Sequence, residues 1–302
     1  MINIIITSYN EPKATLNAVN IFLKQIKNQK ARIIVCDPFI KVKNYLKKNI
    51  KNKKFTFFLD LGKGKSYALN ILLNKIYSKN TDDIIILTDG DVYVSQNTIK
   101  EIIEAFKDKN IGVITGKPVS LNPRNTKYGY WSNVLFVAGA DKIRRKLSSK
   151  GKFFECSGYL FAIRNGVIKE FPLETSEDSI IPYLFYKKGY KIKYLDKVEV
   201  YVKNPDNWKD WLNQRVRNIK AHENLNKLAP DLPRTKSLFN EIKEGALVAI
   251  LQPRNIREFI WTIELYFARL YVYLKAFNEI KKKKTYYDGW RDTEIKTTKS
   301  SN

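Results

Sequence analysis

Short apolar runs alternate with helical patterns along the first 120 residues of the chain. The apolar runs, dominated by isoleucine, valine and phenylalanine, lie at residues 2–7, 32–36, 55–59, 83–88 and 111–115. The helical patterns between them lie at residues 12–27, 40–48, 64–77 and 95–107. Continuous apolar runs are typical of strands in a parallel sheet that helices cover on both faces. This rhythm predicts a doubly wound α/β domain of the nucleotide-binding type.

The pattern is less regular after this region and becomes wholly helical towards the C terminus. We predict a strand at 156–164, a helix at 177–188, a strand or hairpin at 191–202 and a helix at 205–228. After the sequence Pro-Asp-Leu-Pro at 230–233, two further helices are predicted at 237–251 and 255–283. Because proline interrupts regular structure, we place a boundary there, between a main domain (1–232) and C-terminal amphipathic helices with a polar tail (233–302).

Composition narrows the classes of protein to which the chain can belong. Hydrophobic residues make up 44% and aromatic residues 13%, which excludes a disordered basic tail. Two cysteines exclude a disulfide scaffold and a zinc cluster, and one histidine excludes a site built on two imidazoles. The net charge of +25 indicates a polyanionic partner such as a nucleic acid, a nucleotide or an anionic membrane.

The apolar N terminus lacks the basic flank and cleavage site of a signal peptide. No run of about 18 uncharged apolar residues is present. We therefore expect a cytoplasmic chain that is at most peripheral on the inner face of a membrane.

Polar residues follow several of the predicted strands. Asp89 and Asp91, separated by Gly90, come after the run at 83–88, and two carboxylates suit Mg²⁺ or Mn²⁺ holding a diphosphate. Asp-Gly turns are also common after strands, so the triplet alone leaves both interpretations open. The candidates after the first two strands are Thr7, Tyr9, Glu11 and Asp37. Ligands of open α/β sheets bind at the carboxyl ends of strands, so we expect these side chains to meet there, with carboxylates on a ribose or base and Tyr9 against a base.

The segment Leu-Gly-Lys-Gly-Lys-Ser at 61–66 is similar to a phosphate-binding P-loop but has Leu59 where that motif needs glycine. Lys65 still lies on a loop that opens a helix, a suitable place to meet a phosphate, and a solvated basic turn is equally consistent. Glu177 and Asp178 start a predicted helix, where carboxylates are favoured in any case.

A glutamine and two arginines lie together inside the helix predicted at 205–228. They are Gln214, Arg215 and Arg217. Guanidinium and amide groups can hold phosphate oxygens, or these side chains can simply face solvent.

Taken in order, these segments resemble glycosyltransferase family 2, the inverting nucleotide-sugar transferases of the GT-A fold. The matching segments are Thr-Ser-Tyr-Asn-Glu-Pro at 7–12, Asp37, Gly-Lys-Gly-Lys-Ser-Tyr-Ala-Leu-Asn at 62–70, the D-x-D triplet at 89–91, the strand at 156–164, the Glu-Asp pair at 177–178 and the Q-x-x-R-W-like helix at 214–217. Asn218 replaces the tryptophan found in relatives of cellulose, chitin and hyaluronan synthases, and proline rather than an acidic residue follows Asp37.

The resemblance covers about residues 1–225 and implies that the main domain (1–232) is a GT-A catalytic domain with a mixed sheet flanked by helices. It implies that Asp91, helped by Asp89, binds Mn²⁺ or Mg²⁺ on the diphosphate, and that Asp178, with Glu177 beside it, is the general base. Gln214, Arg215 and Arg217 would steady the diphosphate. The implied donor is a nucleotide sugar, UDP-linked rather than GDP-linked because that is commoner in the family. The acceptor would be a glycan hydroxyl or a polyprenyl-linked lipid.

The last predicted helix, at 255–283, is amphipathic. Its charged positions fall within an arc of about 140° on a helical wheel, and four lysines follow at 281–284. This pattern fits an anionic membrane surface, and it fits equally well a face that packs on the main domain or on a second copy. Membrane contact would favour a lipid-linked acceptor such as a polyprenyl phosphate.

Three other classes of function remain open at this point: a nucleic-acid-binding protein, a sugar-nucleotide nucleotidyltransferase and an inactive membrane-associated scaffold. A nucleotidyltransferase should have a glycine-rich loop after the first strand, which is absent here. Between residues 13 and 65, fourteen lysines and arginines stand against two aspartates, whereas the candidate site is acidic. This contrast argues against a nucleic-acid groove through the site.

Overall fold

Eight strands form one sheet in the computed structural model, which describes residues 1–173, 175–231 and 238–282. The strands are β1 (Ile2–Thr7), β2 (Ala31–Asp37), β3 (Phe55–Leu59), β4 (Ile84–Asp89), β5 (Tyr93–Val94), β6 (Ile111–Ser120), β7 (Leu160–Arg164) and β8 (Lys191–Val202). Their order across the sheet is β3-β2-β1-β4-β7-β6-β8-β5. The sheet is mixed, because β7 runs antiparallel to its neighbours β4 and β6.

Helices cover both faces of this sheet, as the apolar strand pattern predicted. The helices of the main domain are α1 (Pro12–Gln25), α2 (Ile40–Asn49), α3 (Lys65–Ile76), α4 (Thr98–Ala105), α5 (Lys127–Val134), α6 (Lys142–Ser149), α7 (Glu177–Lys187) and α8 (Trp208–Leu228). One core cluster joins α1, α2 and α4 to the sheet, and a second joins α3 and α7 to it. The predicted GT-A type of α/β fold is therefore confirmed.

The parallel half of the sheet brings the ends of three strands together. In the pairings of β1 with β2 and β4, Thr7 lies opposite Cys36 and Asp89. The carboxyl ends of these strands therefore share one edge, which is where the sequence predicted the ligand site.

Several predicted elements differ from those observed. The strand predicted at 156–164 begins only at Leu160. Of the two possibilities predicted for 191–202, a strand or a hairpin, the structure has the single strand. The long helical stretch that α5 and α6 form with the wider π-helical turn Leu135–Asp141 between them was not predicted. Its charged and apolar residues show no single amphipathic period, because the sheet edge and the C-terminal helices contact different sides of it.

The C-terminal region is helical, as predicted, but its first part is not one regular helix. It comprises α9 (Leu238–Asn240), a π-helical turn (Glu241–Ala246), α10 (Leu247–Ile250) and the long α11 (Ile256–Lys281). We refer to 238–250 as the short helical segment. The boundary predicted at 230–233, the start of the helix predicted at 237 and the lysines at 283–284 fall wholly or partly outside the described residues.

Helix α11 packs on the main domain through a third core cluster. Its small and apolar buried residues, which face α5 and α8, include Thr262, Leu265, Ala268, Val272 and Ala276. Arg124 forms a two-pronged ion pair with Glu258 at 2.9 Å, and Trp131 donates its indole N–H to the Trp261 carbonyl at 2.7 Å. None of the described helices is long and apolar enough to cross a membrane.

Candidate active site

A cavity of about 650 Å³ lies at the carboxyl ends of β1 and β4. It collects the predicted site residues Thr7, Tyr9, Glu11, Lys65, Asp89, Asp91, Glu177, Asp178, Gln214, Arg215 and Arg217. These residues come from five separate segments of the chain, so the fold brings together what the sequence only places in order. Of the predicted site residues, Asp37 is the one that does not line the cavity.

Lys65 forms the electrostatic centre of this site. Its ammonium group lies 2.7 Å from Asp89 Oδ1 and 2.6 Å from Glu177 Oε1. Thr7 donates its hydroxyl to the same Asp89 oxygen at 2.9 Å. Burial alone would lower the pKa of Lys65, but the two carboxylates outweigh burial and the net pKa is raised. Lys65 is therefore a fixed positive charge between β4 and the start of α7.

The turn after β4 holds the two carboxylates predicted to bind a metal ion. A Cβ atom on Gly90 would stand 2.8 Å from Thr15 Oγ1 and 3.0 Å from Ser8 Cβ, so only glycine fits this turn. Within the described residues no cluster of three metal-ligating side chains forms here. Asp89 and Asp91 nevertheless suit a divalent ion of the Mg²⁺ type, which commonly takes one or two carboxylates and completes its shell with phosphate oxygens and water.

Asp178 sits beside a glycine that leaves room for a ligand. The Cβ atom that Gly158 lacks would lie 3.3 Å from Asp178 Oδ2. The backbone carbonyl of Asp178 accepts a hydrogen bond from the Cys156 N–H at 2.9 Å, which ties the start of α7 to the segment before β7. This arrangement leaves the Asp178 carboxylate facing the cavity.

A buried polar group supports the start of α7 from behind. The next residue, Ser179, donates its hydroxyl to Glu155 Oε2 at 2.6 Å, and His222 Nδ1 lies 2.6 Å from the same oxygen. His222, which lines the cavity, is the only histidine of the chain. This pair was not predicted, because nothing in the local sequence links residues 155 and 222.

Asp37 lies at the end of β2 as predicted, but its carboxylate is fully buried. It accepts hydrogen bonds from Ser8 Oγ at 2.7 Å and from the backbone N–H groups of Asn10 and Phe39 at 2.9 and 2.8 Å. Burial raises the pKa of Asp37, although these hydrogen bonds oppose the effect. Its position corrects the expectation of a side chain open to the nucleotide. Here Asp37 holds the loop that carries Tyr9, whose ring packs edge-on against Phe39 at 5.1 Å.

Helix α8 crosses the cavity with Gln214, Arg215 and Arg217 all in its lining. Arg215 Nε and Nη2 are buried and receive no hydrogen bond partner from the described part of the chain. Burial lowers the pKa of Arg215 to about 10, and its charged or ionisable neighbours are Tyr159, Arg269 and Glu241. Arg215 thus borders the side of the cavity formed by the C-terminal region.

The far wall of the cavity is apolar and was not predicted. It comes from the π-helical turn after α5 and from the C-terminal helices. Leu135, Phe136, Ile242, Phe267 and Leu270 belong to it. The only sequence signal was the amphipathic pattern of the last helix, which does not reveal what its apolar side contacts.

Comparison with known proteins relates this geometry to transferases. A family model described as "Glycosyltransferase like family 2" matches residues 2–221. Poly-β-1,6-N-acetyl-D-glucosamine synthase of Staphylococcus aureus is 24% identical over 223 residues, which is 72% of this chain and 53% of that protein. The O-antigen chain rhamnosyltransferase WbaN of Salmonella anatum is 26% identical over 136 residues, 41% of each chain. The chain spans about half the length of the curated relatives it matches.

Solved structures show the same fold at low sequence identity. The mannosyltransferase PcManGT from Pyrobaculum calidifontis, in complex with GDP-Man and Mn²⁺, has a TM-score of 0.60 at 16% identity, covering 93% of this chain and 81% of that one. S. aureus TarS in complex with UDP-GlcNAc has a TM-score of 0.50 at 14% identity, covering 93% and 92%. These matches establish the fold.

Proposed function

The chain belongs to the glycosyltransferase family 2, and we propose that it transfers a sugar from a nucleotide-diphosphate donor to an acceptor hydroxyl with inversion at the anomeric carbon. The observation that carries this proposal is the cavity, in which Asp89, Asp91 and Asp178 converge from β4 and α7 with the cation Lys65 between the two elements. Family membership favours this function over the nucleotidyltransferase and nucleic-acid-binding alternatives.

The donor would bind with its nucleoside towards β1 and its diphosphate over the turn after β4. Tyr9 and Glu11 line the first part, and Asp89 and Asp91 would hold Mn²⁺ or Mg²⁺ in the second. A bound divalent ion supplies charge neutralisation of the diphosphate leaving group. Two similar structures were solved with GDP-Man and Mn²⁺ and with UDP-GlcNAc, and we propose a UDP-sugar donor here.

Side chains of the protein would accept the proton and stabilise the negative charge of the leaving group. Asp178 would accept the proton of the acceptor hydroxyl as its oxygen bonds to the anomeric carbon and the bond to the diphosphate oxygen breaks. Gln214 and Arg217, on α8, would donate hydrogen bonds to the departing diphosphate. Glu177 is paired with Lys65 and so holds that lysine at the start of α7 rather than acting as a second base.

Replacing Asp178 with Asn tests the assignment of the base. The amide is nearly isosteric but cannot take up a proton at neutral pH, so we expect transfer to fall at least about 100-fold, the usual contribution of general base catalysis. Binding of UDP or GDP with Mn²⁺ should stay unchanged, as measured by calorimetry. Replacement of Asp206, an exposed aspartate outside the cavity, with Asn is the matched control. Undiminished transfer by Asp178→Asn would refute the assignment.

We also propose that the chain binds peripherally to the inner face of an anionic membrane. One side of α11 carries an exposed row of apolar residues at helical spacing: Ile256, Ile260, Ile263, Phe267, Leu270 and Leu274. We call this row the apolar stripe. Lys281 and Lys282 at the end of the helix are exposed cations suited to anionic headgroups.

Flotation with vesicles tests the membrane proposal. The protein should float with phosphatidylglycerol vesicles at low salt and much less with phosphatidylcholine vesicles, because the lysines contribute through charge. Ile260→Asp, in the apolar stripe but outside the cavity lining, should abolish flotation, whereas Leu121→Asp, at an exposed site in the main domain, should not. Equal flotation of both variants and the wild type would rule out the apolar stripe as the contact.

A further inference from the structure

The cavity has a second, apolar part that the transfer reaction proposed above leaves without a ligand. Its polar part is formed by the sheet edge and the start of α7, as described. Its apolar part, which we call the apolar arm, lies between the π-helical turn after α5, the short helical segment and α11. Leu135 and Phe136 line it from one side, and Ile242, Phe267 and Leu270 line it from the other.

The apolar arm opens on the exposed apolar surface of the C-terminal helices. Three residues line the cavity and are also strongly exposed: Ile242 at 59%, Phe267 at 69% and Leu270 at 45%. Phe267 and Leu270 belong at the same time to the apolar stripe. A large exposed apolar surface that continues into a cavity is an unusual feature for a chain whose ligands are all water-soluble. Entry of a long apolar chain from a membrane would therefore explain both the exposed apolar surface and the apolar arm.

Arg215 marks the junction between the apolar arm and the polar part of the cavity. Two of its three guanidinium nitrogens are buried and have no hydrogen-bond partner among the described residues, while its neighbour Arg269 is held by Glu241. Arg215 Cζ lies 5.9 Å from the ring centre of Trp211, a contact that helps to orient the guanidinium group. The carboxylate nearest to Arg215 in charge interaction is that of Glu241, which is already paired with Arg269. A guanidinium whose buried N–H groups are left unsatisfied by the described residues, at the head of an apolar channel, suits an anionic group borne by a chain in that channel.

We propose that the acceptor is an anionic lipid, with its apolar chain in the apolar arm, its phosphate on Arg215 and its reacting end at Asp178. The path is continuous, since Gly158 adjoins Asp178, and Tyr159 is the next residue and a neighbour of Arg215. The inference rests on the proposed transferase function and gives that function its substrate class. It assigns Arg215 to the acceptor, whereas the family resemblance implied the donor diphosphate.

The charge of the protein supports a lipid rather than a second copy of this chain as the occupant. With a net charge of +25, two copies repel each other, whereas an anionic bilayer attracts the surface around the apolar stripe. Within the cavity, the guanidinium of Arg215 would then compensate the negative charge of the lipid phosphate.

Binding of a short soluble analogue tests the proposal without any need for turnover. The full chain is titrated with farnesyl phosphate, farnesol and inorganic phosphate, and the tryptophan fluorescence, to which Trp211 beside Arg215 contributes, reports binding. Farnesyl phosphate should bind at least about tenfold more tightly than inorganic phosphate, because apolar surface is buried together with the charge. Arg215→Gln should weaken farnesyl phosphate at least tenfold and leave farnesol unchanged, and Phe267→Ser should weaken both lipids.

Ile256→Ser is the matched control, since Ile256 lies in the apolar stripe but outside the cavity lining and should leave all three affinities unchanged. Binding of UDP or GDP with Mn²⁺ is measured in parallel. If nucleotide binds but farnesyl phosphate binds no better than inorganic phosphate, the lipid proposal is wrong while the transferase proposal stands. If Arg215→Gln weakens nucleotide binding and not farnesyl phosphate binding, Arg215 belongs to the donor. If the lipid binds and no nucleotide does, the transferase proposal fails instead.

Discussion

Lys65 offers the most direct test of how the active site is held together before any ligand binds. The variant Lys65→Met keeps most of the side-chain volume and removes the charge. It leaves Asp89 and Glu177 facing the space between β4 and α7 without the cation that now lies 2.7 and 2.6 Å from them. The two carboxylates then repel each other across a largely dehydrated gap.

The magnitude follows from burial. The side chain of Glu177 is 7% exposed, whereas those of Lys65 and Asp89 are about one-fifth exposed. Removal of one partner from a buried ion pair costs about 3–5 kcal/mol, and the partial exposure of this cluster places it near about 3 kcal/mol. For a chain of this size that corresponds to a fall in melting temperature of about 6 °C. Because the pKa of Lys65 is raised in the folded state, its contribution is complete at all pH values below the unfolded lysine pKa and hence at neutral pH.

The assay is thermal unfolding at pH 7 with EDTA and, separately, with millimolar Mn²⁺. We expect Lys65→Met to lose about 6 °C in EDTA and to regain part of this in Mn²⁺, because a divalent ion bound to Asp89 and Asp91 supplies the missing charge. Lys65→Arg should retain most of the stability. Lys63→Met, on the same loop, should behave as the wild type, since Lys63 contacts only the ring of Tyr67 in the described cation–π pairs. If Lys65→Met is as stable in EDTA as Lys63→Met, the electrostatic reasoning is refuted.

Three further predictions concern other parts of the cavity. Gly90→Ala should cost about 1–3 kcal/mol in urea unfolding and abolish binding of UDP with Mn²⁺, since the added methyl group clashes in the turn; normal nucleotide binding would contradict this. The pKa of Glu241 is lowered by Arg269 despite burial, so the stability it contributes is present above the unfolded glutamate pKa and lost as the pH falls through the folded one. Wild-type protein should therefore lose more stability between pH 7 and acidic pH than Glu241→Gln, and equal losses would show that the pair contributes nothing. His222→Ala should lower kcat with an unchanged donor KM, because Glu155, which accepts the hydrogen bond from Ser179 in α7, then loses its contact with the imidazole; the single imidazole signal in the NMR spectrum of the wild type would shift in Glu155→Gln.

The parallel half of the sheet could be predicted from the sequence, because each of those strands is an apolar run with a polar residue at its end or directly after it. Both bounds predicted for the strands at Ile2–Thr7 and Phe55–Leu59 coincide with those observed. The ends of β1 and β4 meet because parallel strands share an edge, so the convergence of Thr7 and Asp89 follows from topology alone. The nucleotide-binding role of Thr7 and the nucleotide- and metal-binding role of Asp89 stay predictions.

Contacts between distant segments could not be predicted in the same way. The Glu155–His222 pair and the contact of Lys65 with Glu177 join segments that are 67 and 112 residues apart, and no local pattern records them. Asp37 shows the opposite problem, because its position was predicted but its hydrogen bonds were not. Only the structure shows that Ser8 and Asn10 donate to its Oδ2 and Phe39 to its Oδ1.

The pattern of the amphipathic C-terminal helix left two interpretations open, packing on the main domain and contact with a membrane. The observed helix is compatible with both. Packing on the main domain uses one side of α11, where Leu265, Ala268 and Val272 are buried. The bulky apolar residues of the other side, such as Phe267, remain exposed. A helix that only completed the core would not need the second side, and a helix that only bound a membrane would not need the first. Because α11 also forms one wall of the cavity, docking of its exposed side at a membrane would place the cavity mouth against the bilayer. The same orientation would then serve both attachment to the membrane and access to an acceptor lipid.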